Sequence, residues 1–318
     1  MTNKKRHMKN QCTSDLVMVR PARFDYNPQT AVNNVFQREA DSEDVNEKAR
    51  VEFDGFVGML RSNGLDVLVI DDSVEPHKPD SVFPNNWISM HSNGTICLYP
   101  MFAPNRRLER DPSIIARISD RFKVRKIFDL SHFEKQGMYL EGTGSMVLDR
   151  ENRIAYACLS ERTNEQVLHE FCRKMTYRTM AFHAVDEQGK PIYHTNVVMC
   201  VAKTFAVACL DSVPDLKERE ALRSSLESTG KEVVPITMAQ LHSFAGNMLQ
   251  VTDEKGRDLL VMSSRAHASL TDEQLKRIES HCGILHSPLD TIETHGGGSA
   301  RCMIAENFLP ERPMWFHL

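Results

Sequence analysis

An internal repeat is the feature that most constrains the fold of this chain. Four segments share the pattern of an apolar strand, a polar turn and a second apolar strand, which predicts four β-hairpins. A fifth segment, GSARCMIAENF, supplies only a first strand. Corresponding positions are 58, 52, 51 and 52 residues apart, and these anchor positions are Asn86, Gly144, Asn196, Asn247 and Ser299. This nearly constant spacing predicts a fold built from repeated units.

A helix signal follows each complete hairpin. Three of these helix starts carry a capping-box sequence, whose side chains satisfy free amides of the first turn. The boxes are Thr163 with Gln166, Asp215 with Glu218, and Thr271 with Gln274. Behind the helices, the segments KVRKIFDL, KEVVPIT and CGILHSPL predict short strands. The repeating unit is therefore strand, strand, helix, strand.

The two ends of the chain complement each other to complete the fifth unit. The N-terminal part supplies DLVMVRPARF as a second strand, an amphipathic helix over 42–63 stopped by Gly64, and LDVLVI as a last strand. Joining the first and last units closes a ring without free sheet edges. We predict an α/β fold, a five-bladed α/β propeller with pseudo-fivefold ββαβ repeats. It forms a single domain over 15–318, preceded by a disordered basic tail over 1–14.

Composition and charge exclude several classes of protein. Of the 318 residues, 41% are hydrophobic and 26% are charged, as in ordinary globular chains and unlike disordered or fibrous ones. A formal net charge of -4 offers no positive field to nucleic acid or anionic lipid, so neither is expected as a partner. The longest apolar run is interrupted by Lys203 and is shorter than the ~20 residues of a membrane span.

The cysteines and the N-terminus predict a cytoplasmic location. Eight cysteines occur without a CxxC pair, which favours reduced thiols. The N-terminal MTNKKRHMKNQ is followed by no apolar segment and does not resemble a secretory signal. Reduced thiols leave a cysteine available as a nucleophile. The sequence is compatible with a homo-oligomer.

Polar residues beside the anchors are the candidate site residues, because loops that enter the first strands of a ring converge on its axis. Glu141, His194 and Cys302 supply an acid, a base and a thiol, and Asp80 is a further acid. A cysteine attacks as the thiolate, so it needs a base, and the base needs a carboxylate to orient it. The glycines of HGGGSARC allow close approach of backbone to a ligand.

Three histidines offer competing interpretations. His183 with Asp186 is a second base and acid, but both lie at a strand end before a turn. His295 directly precedes the glycines. His169 and Cys172 have helical spacing and are typical of an ordinary helix face, and no HExxH motif occurs, so we expect no metal.

A dinucleotide cofactor is also not expected. The segment Gly142-Thr143-Gly144 has no third glycine, and it precedes a hairpin where a dinucleotide fingerprint would precede a helix. The chemistry of an acid, a base and a thiol needs no cofactor.

At these residues the chain resembles the guanidine-modifying, or pentein, superfamily, which includes arginine deiminase, amidinotransferases and dimethylarginine dimethylaminohydrolase. LEGTGSMVL resembles the stretch that bears the acidic partner of the catalytic histidine, which implies that role for Glu141. The resemblance implies that His194 is the general acid and base and that Cys302 is the nucleophile. It also implies a five-bladed α/β propeller.

Three further motifs imply substrate-binding residues. DSVFPNN resembles the motif DxxFxED that holds the guanidinium, so the substrate's reacting group is expected against Asp80, Phe83, Asn85 and Asn86. APNRR resembles APSRR, and SERTN resembles SKRTN. These two matches imply that Arg106 and Arg162 pair with the carboxylate of an amino-acid substrate, as guanidinium forks do.

Asn85 and Asn86 depart from the motif, which has Glu and Asp there. Neutral amides suit a neutral ureido group better than a cationic guanidinium. The substitution favours citrulline and fits the citrulline utilisation hydrolases that the sequence is most similar to. The expected function is hydrolysis of a C–N bond at the ureido or guanidino carbon of an arginine-like amino acid, through a covalent cysteine intermediate. Arginine deiminase, amidinotransferase and a non-catalytic binding protein of the same fold remain open.

Overall fold

Five three-stranded sheets make up the framework of the protein. The computed structural model describes residues 10–39 and 44–312. The strand orders are β15-β1-β2, β3-β4-β5, β6-β7-β8, β9-β10-β11 and β12-β13-β14. The strands are β1 (Asp15–Arg20), β2 (Asp66–Asp71), β3 (Ile88–Met90), β4 (Thr95–Leu98), β5 (Lys126–Asp129), β6 (Val147–Asp149), β7 (Ile154–Cys158), β8 (Arg178–Phe182), β9 (Met199–Val201), β10 (Phe205–Ala208), β11 (Glu232–Pro235), β12 (Leu249–Thr252), β13 (Asp258–Ser263), β14 (Gly283–Ser287) and β15 (Ala305–Glu306).

Each sheet has the same pairing, which confirms the predicted strand, strand, helix, strand unit. The middle strand pairs antiparallel with the first strand and parallel with the third. A parallel return requires a crossover, and helices supply it. The helices are α1 (Pro28–Ala31), α2 (Val45–Ser62), α3 (Pro112–Arg121), α4 (Gly142–Ser145), α5 (Glu165–Met175), α6 (Thr195–Val198), α7 (Leu216–Glu227), α8 (Met238–His242), α9 (Ser264–Ser269) and α10 (Asp272–Glu279).

The chain ends complete one unit, as the sequence predicts. Strand β1 pairs with β15 in the register Leu16 to Glu306, and with β2 in the register Asp15 to Asp66. Helix α2 connects β1 to β2 and ends before Gly64, whose φ of +81° suits glycine. The buried face of α2 consists of the predicted apolar residues, Val45, Ala49, Phe53, Phe56, Val57 and Leu60.

Two of the three predicted capping boxes are not formed in the structure. Thr271 and Gln274 form the reciprocal box at α10. At α7, Asp215 caps the helix, but Glu218 accepts instead from His183 and does not complete the box. At α5 the cap is Asn164, one residue after the predicted Thr163, since its side chain accepts from two amides of the first turn.

The predicted boundary of the N-terminal tail is wrong at its inner end. Gln11 is buried, and its Nε2 donates to the carbonyls of Leu148 and Val201 over 3.0 and 3.1 Å. Cys12 is buried as well, with its thiol 3.3 Å from Gln250 Oε1. These contacts join the start of the chain to distant strands. The rest of the predicted tail, 1–9, lies outside the described residues.

The packing of α2 gives a stability prediction. Phe53 has no exposed surface and belongs to the same core cluster as Leu16 and Val67 of the adjoining sheet. We expect Phe53→Ala to lower the free energy of unfolding by about 3–5 kcal/mol, because it removes buried apolar surface and leaves a cavity. The control is Val51→Ala on the same helix, where the side chain is 63% exposed and little change is expected. Urea unfolding followed by circular dichroism measures both, and equal losses would contradict the assignment of the buried face.

A short turn or helix precedes the first strand of each unit, and these turns position the site. Residues Pro84–Asn86 form a 3₁₀ turn before β3, α4 lies before β6, and α6 lies before β9. Turns at 244–247 and 299–303 precede β12 and β15. The predicted anchors lie in these turns. None of the helices within 10–39 and 44–312 is long and apolar enough to cross a membrane.

Candidate active site

The turns surround a pocket that collects most of the predicted site residues. Its lining includes a thiol, an imidazole, a carboxylate, two guanidinium groups, two side-chain amides and three consecutive glycines. The predicted residues in the lining are Asp80, Phe83, Asn86, Arg106, Arg162, His194 and Cys302. Glu141 lies behind His194, outside the lining. Asn85, the remaining predicted substrate-binding residue, is buried, and its side chain does not line this pocket.

Glu141 and His194 form a buried acid–base pair. His194 Nε2 is 2.8 Å from Glu141 Oε2, and both side chains are almost fully buried. Burial disfavours the Glu141 carboxylate, but the Arg162 guanidinium and the His194 hydrogen bond lower its pKa to about 2. Burial lowers the pKa of His194 to about 4, against the raising effect of Glu141. At neutral pH an ionised Glu141 therefore accepts from Nε2–H of a neutral imidazole, and Nδ1 keeps its lone pair.

The neutral state of His194 can be measured directly. We expect its ring to remain neutral as the pH falls through about 6.5, where an ordinary histidine becomes protonated, and to titrate only near pH 4. The measurement is a pH titration of ¹⁵N-histidine NMR spectra, with the resonance assigned from a His194→Gln sample. Titration of this ring near pH 6.5 would contradict the assignment.

Cys302 receives hydrogen bonds from two asparagines that the sequence analysis used only as repeat anchors. Asn247 Nδ2 lies 3.2 Å and Asn196 Nδ2 lies 3.4 Å from Cys302 Sγ. All three side chains are buried. The signal that could have found these asparagines was their equivalent position in consecutive units.

Arg106 has a different environment from the one predicted. Its Nε and Nη2 bind the two carboxylate oxygens of Glu109 over 2.8 and 2.9 Å, and its Nη1 donates to Asn86 Oδ1 over 2.7 Å. Nη2 also donates to the carbonyl of Phe83. Because an internal carboxylate occupies the guanidinium fork, the geometry favours a role for Arg106 in orienting Asn86 over a role in binding the substrate's carboxylate.

Arg162 is held by a segment near the N-terminus that the sequence analysis did not assign to the site. Its Nε donates to Asn33 Oδ1 over 2.8 Å, and its Nη2 donates to the carbonyl of Thr30 over 2.7 Å. Its Nη1 is 3.6 Å from Glu141 Oε2. The guanidinium also lies over the Tyr193 ring, 4.8 Å from its centroid. No motif marks Asn33 or Thr30, since both depend on contacts more than a hundred residues away.

Asp80 and Asn86, which line the pocket, each have one fully buried polar atom without a hydrogen-bond partner among the described residues. Asp80 Oδ2 accepts from Asn27 and Thr30, whereas Asp80 Oδ1 is buried and unpartnered. Asn86 Oδ1 accepts from Arg106, whereas Asn86 Nδ2 is unpartnered. Buried polar atoms are normally paired, so this acceptor and this donor mark a binding site for a polar group.

Comparison with known proteins places the chain in a family. The family described as N,N dimethylarginine dimethylhydrolase, eukaryotic, matches residues 20–309. The chain belongs to this family. It is thereby a member of the pentein superfamily of guanidine-modifying proteins that its motifs resemble. A search of curated proteins found no match.

Solved structures of pentein enzymes have the same mixed α/β fold as this family member. Apo ArgZ, an arginine dihydrolase from the ornithine-ammonia cycle in cyanobacteria, is 17% identical, with a TM-score of 0.72 over 94% of this chain. The chain spans 41% of the length of ArgZ. A mutant of AgrE solved with L-arginine is also 17% identical, with a TM-score of 0.72 over 94% of this chain and 41% of AgrE.

A third neighbour comes from the enzymes after which the family is named. A dimethylarginine dimethylaminohydrolase adduct with S-methyl-L-thiocitrulline is 13% identical, with a TM-score of 0.62 over 93% of this chain and 99% of that one. At sequence identities of 17%, 17% and 13%, these structural similarities establish the fold alone.

The glycines of this family member serve close packing of protein groups around the pocket. A Cβ at Gly144 would lie 2.4 Å from Asn86 Nδ2 and 2.8 Å from His194 Nδ1. A Cβ at Gly296 or Gly298 would overlap the ring of Phe83. The sequence predicts that the glycine run allows a ligand to approach the backbone closely. The run lines the pocket, but its closest neighbours are side chains of the protein itself.

The competing histidines lie elsewhere. His183 is exposed and binds Glu218 over 3.0 Å, and His295 is half-buried with its Nδ1 3.0 Å from the carbonyl of Arg38. Neither residue lines the pocket, nor does Asp186. Within 10–39 and 44–312, no group of three histidine, cysteine or acidic side chains is arranged to hold a metal ion.

Proposed function

We propose that this protein is a cysteine-dependent hydrolase that cleaves a C–N bond at the ureido carbon of citrulline, releasing ornithine, ammonia and carbon dioxide. The bond that is hydrolysed is a carbon–nitrogen bond other than a peptide bond. Cys302, His194 and Glu141 carry it, and Asp80, Phe83 and Asn86 hold the reacting group. The proposal rests on membership of the family and on the geometry of the pocket.

The orientation of the Asn86 amide is the observation that carries the choice of citrulline. A guanidinium can only donate, so the bond from Arg106 Nη1 requires Asn86 Oδ1 to face Arg106. Nδ2 is then the unpartnered atom of an amide that lines the pocket. A ureido group has a carbonyl oxygen that accepts from Nδ2. A guanidinium has donors only, and a donor against Nδ2 would leave both groups unpaired.

Asp80 supplies the hydrogen-bond acceptor that the nitrogen of a ureido group requires. Its unpartnered Oδ1 accepts from a ureido nitrogen, while Asn86 Nδ2 donates to the ureido oxygen. The site therefore offers one acceptor and one donor to a group that has both. Asp80 is also the reason why arginine is the second candidate substrate, since a carboxylate balances a guanidinium. AgrE, one of the structural neighbours, was solved with L-arginine.

In the proposed reaction His194 starts as a neutral imidazole, which can accept a proton. His194 takes the thiol proton of Cys302, and the sulfur bonds to the ureido carbon. The imidazolium, balanced by Glu141, gives that proton to the terminal nitrogen, and the carbon–nitrogen bond breaks to release ammonia. His194 then takes a proton from water, which attacks the thiocarbamate carbon and displaces the sulfur of Cys302, and the imidazolium returns that proton to the sulfur. The resulting carbamate of ornithine loses carbon dioxide.

Arg162 is the better placed of the two predicted arginines for the substrate's carboxylate. Its Nη1 has no acceptor closer than Glu141 Oε2 at 3.6 Å, and it lines the pocket. Arg106, with its fork on Glu109, is proposed to act on the substrate only through Asn86.

We also propose that the five sheets form one closed five-bladed ring within a single domain. Support comes from hydrogen bonds that join successive turns around the pocket. The bonds run from Thr143 to Asn85, from Thr195 to Ser145, from Asn247 to Asn196 and from Arg301 to Asn247. The pairing of β15 with β1 ties the last unit to the start of the chain.

The test is to incubate the purified protein with L-citrulline or L-arginine and to quantify ammonia, ornithine and citrulline. We expect equal amounts of ornithine and ammonia from citrulline. In Asn86→Asp, an acceptor replaces the donor, so the ratio of kcat/KM for arginine to that for citrulline should rise roughly 10- to 100-fold. Asn93→Asp makes the same charge change at an exposed turn and should leave the ratio unchanged.

Two outcomes would overturn the choice of citrulline. Citrulline formed from arginine, without ornithine from citrulline, would make the protein a deiminase. Turnover of neither substrate would favour amidino transfer to an added amine.

A further inference from the structure

We propose that Asn196 and Asn247 are catalytic residues that stabilise the Cys302 thiolate, formed when His194 takes the thiol proton, by donating two amide hydrogen bonds to its sulfur. The inference deepens the proposed function and rests on Cys302 being the nucleophile. The two Nδ2 atoms lie 3.4 and 3.2 Å from Sγ. With His194 as the base, these donors complete the surroundings that a reactive cysteine needs.

The orientation of the Asn247 amide is set by the backbone. Its Oδ1 accepts from the amide of Arg301 over 3.0 Å, and its Nδ2 donates to the carbonyl of Asn196 over 2.9 Å. An amide N–H donates and does not accept, so Oδ1 and Nδ2 cannot be exchanged. The second hydrogen of Nδ2 is left for the sulfur of Cys302. A thiol sulfur is a weak acceptor and a thiolate a strong one, so these donors stabilise the charged form.

Close packing of two turns brings the donors to the sulfur. A Cβ at Gly246 would lie 2.2 Å from the carbonyl oxygen of Val197, so only glycine allows the turns of the third and fourth units to meet here. Phe244, two residues earlier, has a φ of +62°, an uncommon conformation for a residue with a Cβ. Such strain persists where the surrounding structure requires it, as at functional sites.

The two hydrogen bonds to Cys302 stabilise its thiolate because the sulfur is shielded from water. Asn196, Asn247 and Cys302 are 1%, 0% and 5% exposed, so little water is available to solvate a thiolate. Without donors, burial would favour the neutral thiol. Two fixed amide dipoles replace that solvation and need no rearrangement when the sulfur becomes charged.

Asn196 is the cleaner site for a test, because its one side-chain hydrogen bond within the described chain is to Cys302. Asn196→Asp keeps the shape but replaces the donor with a negative carboxylate, and Asn196→Ala removes the donor. The readout is the rate of iodoacetamide alkylation of Cys302 as a function of pH, followed by mass spectrometry of its peptide. Asn93→Asp at an exposed turn is the matched control.

We expect Asn196→Asp to move the pH of half-maximal alkylation upward by about one unit or more, and Asn196→Ala to move it less. The control should superimpose on the wild type. Identical profiles for the wild type and both Asn196 variants, with folding confirmed by circular dichroism, would overturn the proposal. Alkylation does not require turnover, so a shifted profile supports the thiolate assignment even where neither citrulline nor arginine reacts, and the substrate assignment fails separately.

Discussion

In the proposed mechanism, replacing Cys302 by alanine is expected to lower kcat/KM for citrulline by about 10⁴-fold or more, because no other thiol of the described residues lines the pocket. Cys302 is the thiol that lines the pocket and receives two amide hydrogen bonds. Alanine fills most of the same space, so the fold should be retained. The measurement is the rate of ornithine formation, with intact-protein mass spectrometry of the wild type to detect the covalent intermediate.

Cys282→Ala provides the matched control for this variant. Cys282 is also a buried, free thiol, but it does not line the pocket. We expect it to keep wild-type turnover. A folded Cys302→Ala protein with wild-type turnover would show that another group is the nucleophile, and loss of activity in both variants would point to damage to the core.

Replacing Glu141 by glutamine is expected to lower kcat/KM roughly 10³- to 10⁴-fold, because it imposes the wrong tautomer on His194. Glu141 Oε1 accepts from the amide of Phe102 over 2.9 Å, so the glutamine oxygen must keep that position. The glutamine NH₂ group then faces His194 Nε2, which must accept. His194 Nδ1 becomes protonated and can no longer take the thiol proton.

The control is Glu218→Gln, which alters a second glutamate–histidine pair of this chain. Glu218 binds the exposed His183 over 3.0 Å, outside the pocket. Turnover should not change there. The assay compares kcat/KM of both variants at neutral pH. Equal activity in Glu141→Gln and the wild type would remove Glu141 from the proposed mechanism.

Local sequence signals predicted the repeating units and the boundaries of several elements. The apolar stripe of α2 has helical periodicity, and the six residues it marked are buried in the structure. The capping box of Thr271 and Gln274 depends only on neighbouring backbone and is present. At α5 the same motif was misleading, since Asn164 outcompetes Thr163 for the cap and Thr163 instead bridges Ser160 and Leu140.

Contacts between units decided the features that the sequence analysis missed. Asn33 binds Arg162 across 129 residues of chain, and Asn247 reaches Cys302 across 55. Such pairs leave no periodic trace in a single sequence. The contacts of Arg106 with Glu109 and the position of Asn85 outside the pocket lining also depend on folding. A motif indicates the residue type at a position, but it does not indicate which neighbouring group binds its side chain.

The amino-acid sequence by itself determined the ββαβ units, the complementarity of the chain ends and the supply of a thiol, an imidazole and carboxylates beside the anchors. These follow from side-chain periodicity and from the spacing of the repeat. Only the tertiary structure decided which atoms face the pocket. The Arg106 guanidinium binds Asn86 Oδ1 and leaves Nδ2 unpartnered among the described residues, and the Arg301 amide binds Asn247 Oδ1 while Nδ2 lies 3.2 Å from Cys302 Sγ. An amide presents a donor or an acceptor according to which partner holds its other end, and that partner is brought close only by folding.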